Sequence, residues 1–238
     1  MVTAPGYRLS VKARPAKSVG VDGGGRHTGA VDDDAASVVR AGYDAIAERY
    51  LAWAAEIRDE PRARFTAELE SRLAPSSSVV DLGCGAGIPT TRALAERHSV
   101  IGIDISPEQI GLARAFVPAA EFRCADLLDL SLPDATVDAV TALYSVIHVP
   151  RARHAELFQR IRRWLRPGGF FLASLSAGGE SDGVQDDFLG VPMYFSGFAV
   201  DDNQRLLRAA GFELLLSEVV TIQEPDGAAT FLWVLGRR

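Results

Sequence analysis

From residue 39 onward the chain is patterned. Val39, Tyr43, Ile46, Tyr50, Trp53 and Ile57 recur every three or four residues, which places them on one face of an amphipathic helix. A second helix is predicted to start near Pro61 and to carry Phe65, Leu69 and Leu73. Beyond Pro75 and its serines, short β-type runs alternate with helical periods. Strands are expected near 78–82, 99–103, 121–124, 136–142, 169–175, 212–221 and 229–236. Such alternation predicts an α/β fold, a seven-stranded and mostly parallel sheet with helices on both faces. The last two strands flank Glu224-Pro225-Asp226-Gly227-Ala228-Ala229, a turn that makes them an antiparallel hairpin. Ser106, Pro107 and Gln109 have the spacing of a capped helix start, and Gly211 the position of a helix stop.

Residues 1–37 lack any apolar period. They mix Pro, Gly, isolated basic residues (Arg8, Lys12, Arg14, Lys17, Arg26) and the run Asp32-Asp33-Asp34, the composition of a disordered tail or leader. Residues 38–74 read as an N-terminal helical cap and 75–238 as the α/β domain. Within that domain, residues from about 176 to 199 join a polar run to FLGVPMYFSGF, Phe188 to Phe198, which fits neither a strand alternation nor a long helix. It reads as a lid over an apolar ligand, or alternatively as core packed on the sheet.

Composition narrows the function. With 238 residues, 47% apolar, the chain can bury a sizeable core, and a net charge of −6 with dispersed acids lacks the basic footprint of a nucleic-acid binder. Cys84 and Cys124 have no metal-ligand spacing, so neither a disulfide framework nor a metal is expected. No signal-type segment and no membrane-length apolar run is present, and a cytoplasmic protein without membrane attachment is expected. Nothing in the pattern speaks to oligomeric state.

The chemistry centres on VVDLGCGAGIPTTRAL, Val79 to Leu94, with Gly83, Gly85 and Gly87 spaced G-x-G-x-G. A dinucleotide fingerprint starting at Gly85 would need glycine where Thr90 stands, and no Gly-Lys-Ser/Thr run offers a phosphate loop. The implied ligand needs close backbone approach but brings no polyphosphate. Asp81-Leu82-Gly83-Cys84-Gly85-Ala86-Gly87 resembles the first motif of the class I S-adenosylmethionine-dependent methyltransferases, and the resemblance runs from about Tyr43 to the carboxyl end.

That resemblance implies S-adenosyl-L-methionine as cofactor, S-adenosyl-L-homocysteine as product, and a set of contacts. Gly83 and Gly85 would let the backbone approach the cofactor. Asp104 would accept hydrogen bonds from both ribose hydroxyls, and Asp126 from the adenine amine. The Leu127 N–H would meet a ring nitrogen, and Ile105 would pack on the adenine face. Asp81, with backbone carbonyls near Gly83 and Leu143, would suit the cationic methionine end. Tyr43, and Tyr50 beside it, resemble the tyrosines of members whose first helix closes over the cofactor.

After the fourth strand, ALYSVIHVP lines the acceptor end. His148 is the candidate general base, titrating near 6.5 if unshifted, with Tyr144 and Ser145 as further acceptor contacts. His98 and His154 read as surface or helix-end residues. Met193, Tyr194 and Phe195 are the expected acceptor contacts of the lid. The expected function is methylation of a small, largely apolar acceptor at O, N or C, of secondary-metabolite type. The alternatives are an enzyme that binds the cofactor without transferring methyl, as a cyclase would, an RNA or protein methyltransferase, and an NAD-dependent oxidoreductase that the glycine spacing opposes.

Overall fold

A computed structural model describes residues 28–179 and 181–238. Two helices come first, α1 (Thr28–Ala54) and α2 (Arg62–Glu70), the second starting just after Pro61. Strands and helices then alternate: β1 (Ser78–Leu82), α3 (Thr90–Ala95), β2 (Ser99–Asp104), α4 (Pro107–Phe116), β3 (Glu121–Cys124), β4 (Val137–Ala142), α5 (His154–Trp164) and β5 (Leu165–Ser176). A hairpin follows, β6 (Ser181–Phe188) and β7 (Val191–Gly197), before α6 (Val200–Ala209), β8 (Glu213–Glu224) and β9 (Gly227–Arg237).

Seven strands form one sheet in the order β3-β2-β1-β4-β5-β9-β8, and β6 and β7 form a separate pair. The pairs from β3 through β5 are parallel, while β9 runs antiparallel to both β5 and β8. The sheet is therefore the one the alternation predicts. Its final hairpin is tighter than the six-residue turn suggested, because Glu224 pairs with Gly227 across Pro225 and Asp226 alone.

Both faces are covered. On one, α5 turns Leu157, Phe158, Ile161 and Trp164 inward, and α6 adds Leu207, against Val80, Leu82, Val140 and Phe171 of the sheet. On the other, Phe65 and Leu69 of α2 and Leu94 of α3 pack on Val79, Val100, Leu172 and Trp233. Phe65 lies flat on Trp233, 4.7 Å between ring centroids and 12° between planes. Apolar contact on both faces is why these strands read as nearly continuous apolar runs. Ser106 caps α4 by accepting the Gln109 backbone N–H at 3.1 Å, with Pro107 in the first turn. Gly211 ends the α6 segment at φ +94°.

The third layer roofs the carboxyl ends of the strands. Ala35, Val39 and Ile46 of α1 form one buried cluster with Met193 and Tyr194 of β7. Two expectations change here. α1 begins at Thr28, inside the segment 1–37 expected to be disordered; residues 1–27 lie outside the described residues. A run without apolar periodicity can still be helical when it continues a helix whose face is buried. Within the 176–199 segment, Ser181–Phe188 and Val191–Gly197 form a β-hairpin whose second strand packs against α1, not on the sheet as the core reading expected. His98 and His154, read as surface residues, are 7% and 2% exposed.

Because Ala35 is 3% exposed against this roof, a chain starting at Val38 should melt at least about 3 °C below one starting at Thr28. Roughly 1 kcal/mol moves Tm by about 2–4 °C at this size. Equal melting of the two by calorimetry would show that the first ten residues of α1 add nothing to the fold.

Candidate active site

The ends of β1, β2, β3 and β4 converge on an inner cavity beneath α1. This is where open α/β sheets bind ligands. Gly83, Gly85, Asp104, Ile105, Asp126 and Leu127 line one end of it, and Leu143, Tyr144, Ser145 and His148 the other. The turn after β1 brings the backbone in close. Gly83, at φ +70°, has no room for a side chain, since a Cβ there would sit 2.2 Å from that of Ser145. Gly85, at φ +53°, presents an open face, where a Cβ would meet nothing closer than Gln109 Oε1 at 3.7 Å. A side chain at Gly85 would project into free space needed by a ligand.

Asp104 braces that turn. Its Oδ2 accepts the Gly85 N–H at 2.8 Å and its Oδ1 the Ser106 N–H at 3.0 Å, leaving lone pairs on both oxygens for a diol. Burial pushes its pKa up to about 6, against the pull of those two N–H groups. Asp126 accepts the Leu128 N–H at 2.8 Å. Two buried polar groups lining the same cavity have no partner among the described residues: the Gln109 amide, at both ends, and the Ser145 hydroxyl. Unsatisfied buried polar atoms are costly, and a polar ligand in the cavity would relieve them. Most of the turn's N–H groups are donated within the protein. Those of Gly83 and Cys84 go to the Ile103 carbonyl at 2.7 and 3.0 Å, and that of Gly87 to the Cys84 carbonyl at 3.0 Å. With four of its N–H groups donated within the protein, the turn offers a polyphosphate fewer donors than a phosphate loop does, and the acceptor oxygens of Asp104 suit a ribose diol. Among the described residues, no group of three or more His, Cys, Asp or Glu could hold a metal ion.

Asp81 departs from expectation. Its oxygens accept the Thr91 and Thr141 hydroxyls at 2.5 and 2.6 Å, it is 3% exposed, and it does not line the cavity. Burial raises its pKa and the two hydroxyls hold it down. It ties β1 to α3 and β4 beneath the turn, and so positions the site without facing the ligand.

An outer cavity of about 590 Å³ opens beyond the inner one, within the range of small-ligand pockets. Trp53, Phe188, Phe195, Ile222 and Phe231 give it an apolar patch, while Asp187, Glu224 and Asp226 add carboxylates to the same wall, burial raising the pKa of Glu224 to about 7. Five residues border both cavities: Tyr43, Tyr50, Arg62, Tyr144 and His148. Tyr144 follows β4 at φ +57°, held by its N–H on Ser174 Oγ at 2.7 Å and its hydroxyl on Glu60 at 3.0 Å.

At the centre of the border, His148 Nδ1 lies 2.8 Å from the Tyr194 carbonyl and its Nε2 lies 2.9 Å from the Tyr43 hydroxyl. A carbonyl only accepts, so Nδ1 carries the hydrogen and Nε2 accepts the Tyr43 O–H. Burial lowers the His148 pKa to about 4, opposed by the Tyr194 carbonyl, and burial raises that of Tyr43. Both are neutral near pH 7.

Of the three residues expected to face the acceptor from the lid, only Phe195 lines the outer cavity, 4.9 Å from the His148 ring. Met193 is fully buried against Gly42 of α1, and Tyr194 turns its hydroxyl to Asp182. They are corrected to packing residues, Tyr194 contributing only its carbonyl, because both are buried in the cluster with Ala35, Val39 and Ile46 of α1. Arg62, Gln109, Trp53 and Phe231 join the site without having been expected there. Trp53 sits on the recognised apolar stripe and Gln109 in the recognised helix start, neither of which points to a ligand, while Arg62 carries no motif that marks it.

Residues 79–169 match a family model described as a methyltransferase domain. The O-methyltransferase resE of Aspergillus sclerotiorum is 30% identical over 208 residues, covering 80% of this chain and 74% of that protein. The 27-O-demethylrifamycin SV methyltransferase of Amycolatopsis mediterranei is 36% identical over 172 residues, covering 65% of this chain. The chain spans 61% of that relative's length. Among solved structures, the Burkholderia thailandensis 1,6-didemethyltoxoflavin-N1-methyltransferase, with that compound and S-adenosylhomocysteine bound, shares the fold. Its TM-score is 0.69 at 21% identity, covering 92% of this chain and 93% of that one.

The Asp104 environment makes ligand binding pH-dependent. The ionised carboxylate is the better acceptor, so affinity for adenosylhomocysteine should fall as pH drops through about 6, by at most about tenfold per unit for a single group. Asp104→Asn should bind about 10–100-fold more weakly near pH 7, as expected for hydrogen bonds to a charged group, and lose this dependence. A wild-type affinity by calorimetry that stays flat from pH 7 to 5 would contradict the assignment.

Proposed function

The chain belongs to the class I S-adenosylmethionine-dependent methyltransferases, and we propose that it methylates a phenolic or enolic hydroxyl on a small, largely apolar acceptor seated in the outer cavity. When bound, adenosylmethionine supplies a methyl group on a sulfonium, so that activation resides in the leaving group. Gly83, Gly85, Asp104, Ile105, Asp126, Leu127 and Leu143 are the residues that would hold it, with Tyr43 covering it from α1. The remaining work of the protein is alignment, exclusion of water and management of one proton.

One observation carries the choice of hydroxyl. His148 Nε2 already accepts a phenolic O–H, that of Tyr43, at 2.9 Å on the border of the two cavities. An acceptor hydroxyl that displaces Tyr43 makes the same hydrogen bond. His148 then takes its proton at Nε2, while Nδ1–H stays on the Tyr194 carbonyl and stabilises the imidazolium. A base held near 4 is free at every physiological pH but weak. It suits an acidic hydroxyl better than an aliphatic alcohol. The relatives named O-methyltransferase and the aromatic side chains on one part of the outer wall support the same reading. The dispersed acidic charge argues against a polynucleotide acceptor. The reading includes the expected cytoplasmic setting, in which the free thiols Cys84 and Cys124 stay reduced.

The test is mass spectrometry of products from a panel of phenols, enols, alcohols and amines. A gain of one methyl on oxygen is expected. Methylated amines alone, or a rearranged product of unchanged mass, would refute it. With cofactor saturating, His148→Ala should lower single-turnover rate by roughly 10²–10⁴. The ratio of wild-type to His148→Ala rates, in which the titration of other cavity groups such as Glu224 cancels, should stay level through 6.5 and fall only toward pH 4. Tyr43→Phe, which only frees Nε2, should keep the rate within a few-fold. A loss as large as that of His148→Ala would make Tyr43 itself the group that receives the acceptor's proton.

A further inference from the structure

The outer cavity has two unlike ends. At one of them His148 borders the inner cavity. From its ring the wall continues through Phe195 at 4.9 Å, then Phe188 a further 5.4 Å away and Trp53 5.8 Å beyond that, all between centroids. The Trp53 indole N–H reaches Asp226 Oδ2 at 3.3 Å, in the turn between β8 and β9. Glu224, the last residue of β8, pairs across that turn with Gly227 and lines the same cavity. A row of rings therefore leads from the base to the carboxylates.

These carboxylates differ in what holds them. Asp226 accepts the indole N–H, and Asp187, on the same wall, accepts the Gly190 N–H at 2.8 Å. Glu224 is half-buried, and among the described residues its side chain makes neither a hydrogen bond nor an ion pair. Arg62, the one cation lining either cavity among the described residues, is engaged by Glu60 at 3.0 Å. Burial and the neighbouring Asp226 raise the Glu224 pKa to about 7, as expected of a carboxyl without a counter-charge. A ligand cation would offset that penalty, and the faces of Trp53 and Phe188 attract cations as well. We propose that Glu224 selects acceptors carrying a protonated amine, seating the ammonium at the β8–β9 end of the outer cavity while the hydroxyl lies on His148. The inference rests on the hydroxyl reading above and names the rest of that molecule: an apolar body lies along Phe195, Phe188 and Trp53, with the amine beyond it. Such seating also decides which atom reacts. A nitrogen held protonated beside a carboxylate has no lone pair to offer, while the hydroxyl gives its proton to His148.

The test compares phenols of similar size whose tails differ in charge: 4-(2-aminoethyl)phenol, 4-propylphenol and 4-hydroxyphenylacetate, together with the same set on longer tails. With adenosylmethionine saturating, kcat/KM for O-methylation of the amine should exceed that of the neutral phenol by about 10–100-fold in at least one set, as hydrogen bonds to charged groups do, and the carboxylate should be poorest. Glu224→Gln should bring the amine level with the neutral phenol, and Glu224→Lys should reverse the order in favour of the carboxylate. Calorimetry with adenosylhomocysteine checks that each variant is folded. Equal kcat/KM for amine and neutral phenols in the wild type would overturn the proposal and leave the hydroxyl reading standing. A preference for the amine that persists in Glu224→Gln would overturn it too, by placing the nitrogen elsewhere. If methyl is gained on nitrogen, or if no phenol of any charge is methylated, the hydroxyl reading itself falls, and this inference with it.

Discussion

Three parts of the chain that are far apart in sequence meet in one run of hydrogen bonds. Tyr43 on α1 gives its O–H to His148 in the turn after β4, and His148 gives its Nδ1–H to the Tyr194 carbonyl on β7. The parallel sheet alone leaves the carboxyl ends of its strands open to water. The run joins roof to floor at the point where the two cavities meet. It also sets the chemistry, since the carbonyl fixes the tautomer and the tautomer leaves Nε2 as the acceptor. The apolar cluster of Val39, Ile46 and Met193 supplies the burial that makes this arrangement stable.

Two carboxylates beneath the roof show how neighbours divide labour. Asp81 and Asp104 end adjacent strands and both are buried, so desolvation raises both pKa values. Asp81 is closed off by two threonine hydroxyls and serves the framework. Asp104 is held by two backbone N–H groups whose geometry leaves it facing the cavity. The difference lies in their partners, since residue type and position at a strand end are the same.

The same contrast explains what can be read from the chain. Strand alternation, the glycine turn and the acids after β2 and β3 are legible, because each depends on local spacing that the sheet repeats. The seven-stranded sheet and the antiparallel β9 follow from the same signals. What escapes depends on contacts distant in sequence. The early part of α1 has no apolar period of its own, and its packing against β7 begins at Ala35, a contact distant in sequence. Met193 and Tyr194 read as ligand contacts because an apolar lid and an apolar clamp have the same composition. Asp81 cannot be told from a ligand carboxylate without knowing that Thr91 and Thr141 converge on it. Arg62 becomes visible only once the residues bordering both cavities are known.

The state of the His148 ring is the most direct test of the account. In protein labelled with ¹⁵N at its four histidines, His148 should show a protonated Nδ1 and a bare, hydrogen-bonded Nε2. That spectrum should persist from neutral pH until protonation sets in near 4. An Nε2–H tautomer, or a ring that titrates near 6.5, would mean that the roof does not hold the imidazole as described, and that its proton-accepting lone pair does not face the junction of the cavities.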